Sequence, residues 1–274
     1  MKLSRRSLLK TTAAAAAFAT VGLPSFAQAI DELVIAYNVN LPSWDPTVGL
    51  SAVNPTIQGF YQSVFDLFIP QNPDLSFGSG IITDYGWNDD NSAIWMDVRE
   101  GVWHNGDPLT AEDVAWSLAR VANPDTGSPI QFIWGKITNI KAEGTRVTAD
   151  MPEYEPTFFK WMSFLTGYVM PKKYYEEVGA DGFEAAPIGT GPYIVEKFER
   201  NAFVRLKANE NYWGGAPEFK TVTIKFVTDA ASRVAEVESG NSHVTLEIPY
   251  EEFDRLKAKD GLAGVAEPIS DIGM

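Results

Sequence analysis

One apolar run near the start of the chain limits the possible fold more than any other feature. The segment ELVIAYNV, residues 32–39, is nearly continuous in apolar side chains, which is typical of a strand buried on both faces. Such a strand lies inside a sheet that other elements cover on both sides. The run therefore predicts a central strand in a fold that combines helices and strands.

The rest of the chain supplies both kinds of element. A helix is predicted to begin after Asn54, which can cap it, and apolar side chains at helical spacing over 57–68 predict that it continues to residue 68. Residues 93–100, AIWMDVRE, alternate apolar and polar side chains as a strand does. Hairpins are predicted to turn at Gly144 and near Asn201. The order of elements, without an internal repeat, predicts an α/β (mixed α+β) fold.

The stretch GVWHNGDPLTAEDVAWSLAR, residues 101–120, holds one of the two histidines among several acids. In this stretch the local physical chemistry favours a structural role over a catalytic one. Thr110 lies where a helix N-cap is expected, and Asp113 can answer it as a shortened capping box. Asn123, followed by proline, predicts the end of this helix. Because capping accounts for the acids, a structural role is predicted for His104.

Few residues could support metal binding or catalysis. His104 and His243 are the only histidines, cysteine is absent, and neither H-E-x-x-H nor G-x-S-x-G occurs. The glycine-rich segment PIGTGPY, residues 187–193, precedes a strand-like run, whereas a phosphate cradle opens a helix. We therefore predict no catalytic residue, no metal and no cofactor. A hydrolase is the minor alternative, and it would require activity that depends on one of the histidines.

The first 29 residues predict an export signal. They contain four basic side chains, no acids, a short apolar stretch and the small-x-small site Ala27-Gln28-Ala29. Arg5-Arg6 resembles a twin-arginine signal, and an ordinary secretory signal is the alternative. The apolar stretch is too short to span a bilayer.

The charge of the chain restricts its partners. The formal net charge is −14, and removal of the four basic residues of the signal would make it −18. Such a surface repels nucleic acids and anionic membranes. The eight tryptophans give more information, because aromatic rings in loops can line a ligand pocket. Trp44 and Trp134 are the candidates on that ground.

Five sequence blocks form an ordered set. They are WDP (44–46), VREGVWHNGDPLTAEDVAWSLAR (98–120), PIGTGPYIVEKF (187–198), NENYWGGAPEFKTVTIKFV (209–227) and AASRVAEVESG (230–240). In this order they resemble the family-5 extracellular solute-binding proteins, the peptide, nickel and opine receptors of ABC importers. Val98 and Asn105 stand where the family signature has Leu and Asp. The family commonly has an Asp shortly after Gly240, where this chain has NSHV, residues 241–244.

The resemblance implies a lobe of the type II periplasmic-binding-protein fold. Family members are about twice as long and close two lobes on a ligand, so the expected organisation is an export signal over 1–29 and a first lobe over 30–274, with the second lobe absent. In peptide-binding members an acidic residue of the second lobe holds the peptide amino group, and no position of this chain matches it.

The function that the resemblance implies is solute binding without chemistry. We expect a periplasmic, monomeric receptor for peptides that has no lipid anchor and presents its solute to an ABC permease in the inner membrane. Ligand contacts are expected in loops at the carboxyl ends of strands. The predicted contacts are Asn40, Ser43, Trp44, Asn54 and Trp134, with plain helix capping as the alternative for Asn54. A nickel chelate, an opine or an oligosaccharide is the alternative solute, and a non-transport interaction module is the alternative class.

Overall fold

The computed structural model describes residues 31–165 and 167–265. The predicted export signal lies outside these described residues. From Glu32 onward the described residues belong to one compact unit.

The described residues form strands, α-helices and two short 3-10 turns. The strands are β1 Glu32–Tyr37, β2 Ile82–Trp87, β3 Ala93–Val98, β4 Gly101–Val102, β5 Pro108–Leu109, β6 Thr138–Glu143, β7 Arg146–Asp150, β8 Tyr193–Glu199, β9 Phe203–Ala208, β10 Thr221–Phe226 and β11 Val244–Thr245. The helices are α1 Pro55–Tyr61, α2 Ala111–Ala122, α3 Gln131–Trp134, α4 Phe158–Trp161, α5 Lys172–Ala185, α6 Ala230–Glu238 and α7 Tyr250–Lys257. The 3-10 turns are Gly49–Ala52 and Pro124–Thr126.

A five-stranded sheet has the order β11-β1-β10-β9-β8. β1 pairs in parallel with β10 on one side and with β11 on the other, so its predicted central position is confirmed. The predicted burial on both faces is only partial, because Ala36 is buried and the other residues of β1 are half-buried. β10, β9 and β8 pair antiparallel. The predicted hairpin between β8 and β9 turns at Asn201, which adopts a φ of 61°. The carboxyl ends of β1, β10 and β11 consequently lie at one edge of this sheet.

A second sheet has the order β2-β3-β7-β6, and all of its pairs are antiparallel. The alternation predicted for β3 is confirmed, because Ile94, Met96 and Val98 are buried. The predicted turn between β6 and β7 is also confirmed, with Gly144 at a φ of 60°. Ile94, Met96 and Val98 belong to one hydrophobic cluster, and residues of the five-stranded sheet, such as Val222 and Ile224, belong to a second. The fold is the mixed α/β arrangement that the order of elements predicts.

The start of helix α2 explains the positions of the acidic residues in the 101–120 stretch. The Thr110 side chain accepts a hydrogen bond from the backbone N–H of Asp113, and the Asp113 carboxylate accepts one from the backbone N–H of Thr110. Asp113 also accepts a hydrogen bond from the backbone N–H of Lys172, at the start of α5. The capping box is confirmed, and it joins two helices as well as starting one.

One element prediction is corrected. Helix α1 ends at Tyr61, so the apolar positions that follow, such as Val64 and Phe65, are buried in a turn and not on a helix. Burial in the core, which the local pattern does not specify, decides the path of the backbone there. A helix that begins after Pro171 is also predicted to end before Gly179, and α5 is kinked at that residue, where Gly179 has a non-helical φ of 71°.

Candidate functional site

The edge formed by the carboxyl ends of β1, β10 and β11 is the candidate site. Three loops leave the sheet here, at residues 38–40, 227–229 and 246–249. Loops at the carboxyl ends of parallel strands are where open α/β sheets bind ligands. We call these three loops the carboxyl-edge loops.

Two polar side chains of the carboxyl-edge loops meet. The Asn38 side chain donates a hydrogen bond to the Glu247 carboxylate, across 209 residues of sequence. Glu247 is exposed and adopts a φ of 50°, in the left-handed region that non-glycine residues seldom occupy. Within residues 31–165 and 167–265, no lysine or arginine forms an ion pair with Glu247. The loops therefore present an unpaired carboxylate beside an amide.

Tyr37 connects this carboxylate to α1. Its hydroxyl donates a hydrogen bond of 2.6 Å to the backbone carbonyl of Thr56. Burial, and then the charge of Glu247, raise the pKa of Tyr37 to about 12. The tyrosine stays neutral at physiological pH, and its role at the edge is to hold α1 against β1.

The five predicted contact residues do not form one site. Asn40 is exposed in the loop after β1, at the carboxyl edge. Ser43 donates to the Glu184 carboxylate. Asn54 accepts hydrogen bonds from the backbone N–H groups of the first turn of α1, which is the capping alternative. Trp44 and Trp134 have no exposed surface, and they belong to different hydrophobic clusters.

Ligand contact by these five residues stays a prediction. For the two tryptophans, the described conformation would have to open before a ring could touch a solute. The predicted placement in a loop is correct for Trp44, whereas Trp134 ends the short helix α3. A loop can be covered by other segments, and the sequence does not show how deeply its residues are buried. Glu247 and Asn38 were missed, because their hydrogen bond joins residues that are 209 positions apart, and the local pattern of neither segment indicates that contact.

His104 has both ring nitrogens occupied by backbone groups of the glycine-rich loop. Nδ1 accepts a hydrogen bond of 3.1 Å from the Gly189 N–H, and Nε2 lies 3.0 Å from the Gly191 carbonyl oxygen, to which it donates in the corresponding tautomer. The His104 N–H donates to the Gly189 carbonyl. These contacts support the predicted structural role.

The histidine predicts a loss of stability on acidification. Burial lowers the pKa of His104 below its ordinary value of 6.5, so the unfolded chain takes up a proton more readily than the folded one. Its contribution is therefore complete above about pH 6.5 and is lost as the pH falls from there toward the folded-state pKa. Urea unfolding between about pH 7.5 and about pH 5.5 measures the slope. His104→Gln, which cannot titrate, should show a shallower slope, and an identical slope would contradict this assignment.

His243 lies in the segment after Gly240 where the resemblance leads us to expect an Asp, two or three residues beyond that glycine. Its Nδ1 accepts a hydrogen bond of 2.9 Å from the Val34 N–H, and its own N–H donates to the Val34 carbonyl. A carboxylate could accept the same backbone hydrogen bond. The departure from the family pattern therefore keeps the connection between β1 and the segment that leads into β11.

The rest of the described chain offers no metal site and no membrane-spanning helix. Within residues 31–165 and 167–265, no group of three or more His, Cys, Asp or Glu side chains is placed to hold a metal ion. A cavity of about 420 Å³ beside the start of α2 has charged lining residues that pair with each other, Lys172 with Glu112 and Lys173 with Asp107. None of the helices in the described part is both long and apolar enough to cross a membrane.

Comparison with known proteins identifies the class. Residues 77–274 match the family model of bacterial extracellular solute-binding proteins, family 5 Middle. That match covers more than half of the chain, so the chain belongs to this family. The five-stranded sheet with its carboxyl-edge loops is thus part of a solute-binding protein.

The chain spans about half the length of the individual relatives that it matches. The glutathione-binding protein GsiB of Salmonella paratyphi A is 28% identical over 250 residues, which are 88% of this chain and 47% of that protein. The protein MoaA from A. tumefaciens R10, solved in complex with mannopinic acid, superposes with a TM-score of 0.77 at 24% identity, over 84% of this chain and 48% of that one. A dipeptide-binding protein from Pseudoalteromonas sp. SM9913, solved with Met-Leu, gives a TM-score of 0.75 at 22% identity, over 84% of this chain and 50% of that one.

Proposed function

We propose that this chain is the first lobe of the solute-binding component of an ABC importer, and that its solutes are peptides. The family match over residues 77–274 carries this proposal. The relative GsiB is named for binding glutathione, which is itself a small peptide, and the dipeptide-binding protein is a structural neighbour. In this function the chain does no chemistry: it binds a solute, closes on it with a second lobe, and presents it to a membrane permease.

The surroundings of the protein are part of the proposal. Export by the signal over 1–29 would bring the mature chain to the periplasm, free of a lipid anchor because it has no cysteine. The partner is the importer's permease in the inner membrane, and the receptor acts as a monomer.

Asn40, Glu247 and Asn38 are the residues that we propose to face the solute. All three are in the carboxyl-edge loops, and the Glu247 carboxylate has no cationic partner in the described chain. The Glu247 carboxylate would help to attract the ammonium group of a peptide, whose direct acidic partner the resemblance assigns to the second lobe. The Asn38 amide beside it would accept or donate a hydrogen bond.

An opine is the second candidate solute, favoured by the superposition on MoaA with mannopinic acid. A nickel chelate or an oligosaccharide is a further alternative, as is a lone lobe that serves as a non-transport interaction module.

A thermal-shift experiment tests the proposal. The 274-residue chain, after signal removal, is expected to melt at nearly the same temperature with and without glutathione or Met-Leu at about millimolar concentration, because one lobe leaves the solute half in water. The same chain extended by a second lobe should bind. Ligand at about 100 times its dissociation constant adds roughly 2.7 kcal/mol of stability. For this size of domain that is a shift on the order of 5–10 °C.

The control ligands separate the alternatives. Mannopinic acid that shifts the extended chain, when neither peptide does, would replace peptides by opines as the solute. A shift of several degrees from the short chain alone would mean that it already holds a complete site, and the first-lobe proposal would be wrong.

A further inference from the structure

Arg233 is a buried cation that forms no close ion pair in the described part of the chain, although its charge is one of the causes that lower the pKa of Asp229. It lies on α6 and only 4% of its surface is exposed. Within residues 31–165 and 167–265, its guanidinium forms no ion pair with a carboxylate. An unpaired buried charge is costly unless hydrogen bonds compensate it, so the partners of this guanidinium need to be identified.

The partners are four backbone carbonyls. Nη1 donates to the carbonyls of Val227 and Thr228 at 2.9 and 2.8 Å. Nε donates to that of Leu246 at 3.1 Å, and Nη2 to that of Glu247 at 2.7 Å. These carbonyls lie just beyond the ends of β10 and β11, where the sheet no longer supplies hydrogen-bond partners. One side chain therefore satisfies the exposed ends of two strands.

The geometry of the sheet gives this arrangement a further consequence. β10 and β11 are not neighbours, since β1 lies between them. Arg233 thus joins the loops on either side of the end of β1, and the Val227 N–H donates to the carbonyl of Tyr37, the last residue of β1. All three carboxyl-edge loops are held in one frame.

Glu247 depends most on this frame. Its left-handed backbone is unfavourable for a residue with a side chain and persists only where its surroundings hold it. The bond from Arg233 to its carbonyl fixes the backbone, and the bond from Asn38 then fixes the carboxylate.

We propose that Arg233 is the positioning residue of the carboxyl-edge loops, and that it sets the place of the Glu247 carboxylate without touching the solute itself. The inference rests on the proposed function only in taking this edge as the solute-facing one. Lysine could not replace the arginine. The planar guanidinium has five donors and reaches all four carbonyls, whereas a single ammonium group cannot reach them all.

Two measurements on the full chain test the proposal. Hydrogen exchange followed by mass spectrometry reports on peptides that cover 242–249 and 111–122. Two-dimensional NMR of the Asn38 side-chain amide reports directly on its bond to Glu247. The variants are Arg233→Met and the milder Arg233→Lys, and the matched control is Val234→Ala, the adjacent buried residue on α6 that touches none of these loops by hydrogen bonds.

Arg233→Met should raise exchange in 242–249 by about tenfold or more, because local opening of this segment no longer breaks the guanidinium bonds. The variant Glu247→Ala removes the acceptor of the Asn38 amide and supplies the reference signal for the broken hydrogen bond. In Arg233→Met the Asn38 amide signal should move to that reference position. Arg233→Lys should change both readouts in the same direction and less, so it decides the matter if Arg233→Met does not fold. Exchange in 111–122 should not respond.

Either of two results would overturn the proposal: an unchanged Asn38 signal in both Arg233 variants, or an equal change in Val234→Ala, which would make the effect one of general destabilisation. Neither readout involves a solute. Failure of every peptide to bind a two-lobe chain would remove the proposed function and leave these measurements to decide the role of Arg233 alone.

Discussion

Asp45→Asn is expected to lower the free energy of unfolding by about 3 kcal/mol, because it leaves a buried guanidinium without its countercharge. Asp45 and Arg120 form a two-pronged ion pair, with N···O distances of 2.6 and 3.1 Å, and their side chains are 8% and 15% exposed. The remaining donor capacity of Arg120 goes to Thr47 and Tyr175. The pair fastens the WDP loop after β1 to the last turn of α2.

The chain contains a matched control for this prediction. Asp97 and Arg146 form the same two-pronged pair, at 2.6 and 2.7 Å, and this arginine also stacks on an aromatic ring, that of Trp95. The difference is exposure, since the Arg146 side chain is 51% exposed and that of Asp97 is 30% exposed. Water and salt screen such a pair, so Asp97→Asn should cost far less than Asp45→Asn.

Urea unfolding of the two variants measures both losses. The double variant Asp45→Asn with Arg120→Met should regain part of the loss, because it removes the unpaired charge as well. Equal losses for Asp45→Asn and Asp97→Asn would show that burial of the first pair has no energetic consequence.

Gly189→Ala is expected to cost about 3 kcal/mol through overpacking. A Cβ at this position would lie 1.9 Å from the backbone carbonyl oxygen of Val64 and 3.0 Å from the ring of Phe65. The carbonyl cannot rotate away as the end of a flexible side chain could, and it accepts a hydrogen bond from the Gly191 N–H. The glycines of the PIGTGPY segment therefore allow close approach of two backbone segments, which accounts for them without a phosphate.

Gly59→Ala is the control for that substitution. Gly59 lies within α1, has an ordinary φ, and a Cβ there would meet no atom within 4 Å. Alanine is favoured over glycine inside a helix by roughly 0.5–1 kcal/mol, so this variant should melt at a slightly higher temperature. Differential scanning calorimetry gives both results, and a melting temperature for Gly189→Ala at or above that of the parent chain would refute the packing argument.

The local elements could be predicted because their causes lie within a few residues. The capping box of α2 needs only Thr110 and Asp113, which are three residues apart. The turns at Gly144 and Asn201 need only backbone conformations that glycine and asparagine adopt readily. The alternation of β3 follows from the two-residue repeat of a strand. Membership of the solute-binding family also rests on sequence, since its blocks keep their order along the chain.

The candidate site could be predicted only in outline. The sequence places Asn40 after a central strand, and the structure keeps it at the carboxyl edge. Trp44 shares the same loop, yet it packs against Phe60 and Phe198, with ring centroids 5.7 and 5.5 Å apart, and has no exposed surface. A loop residue and a core residue have the same sequence pattern here, because depth depends on what packs above.

What the sequence by itself determined about this protein is therefore the kind of element at most positions, the central place of the first strand and the family. The tertiary structure alone decided which partners distant residues meet. Asp45 finds Arg120 75 residues away, Asn38 finds Glu247 209 residues away, and Arg233 holds four carbonyls that carry no sequence signal. Short-range patterns fix hydrogen bonds within a turn, whereas burial of charge and the joining of strand ends depend on the packing of the whole sheet.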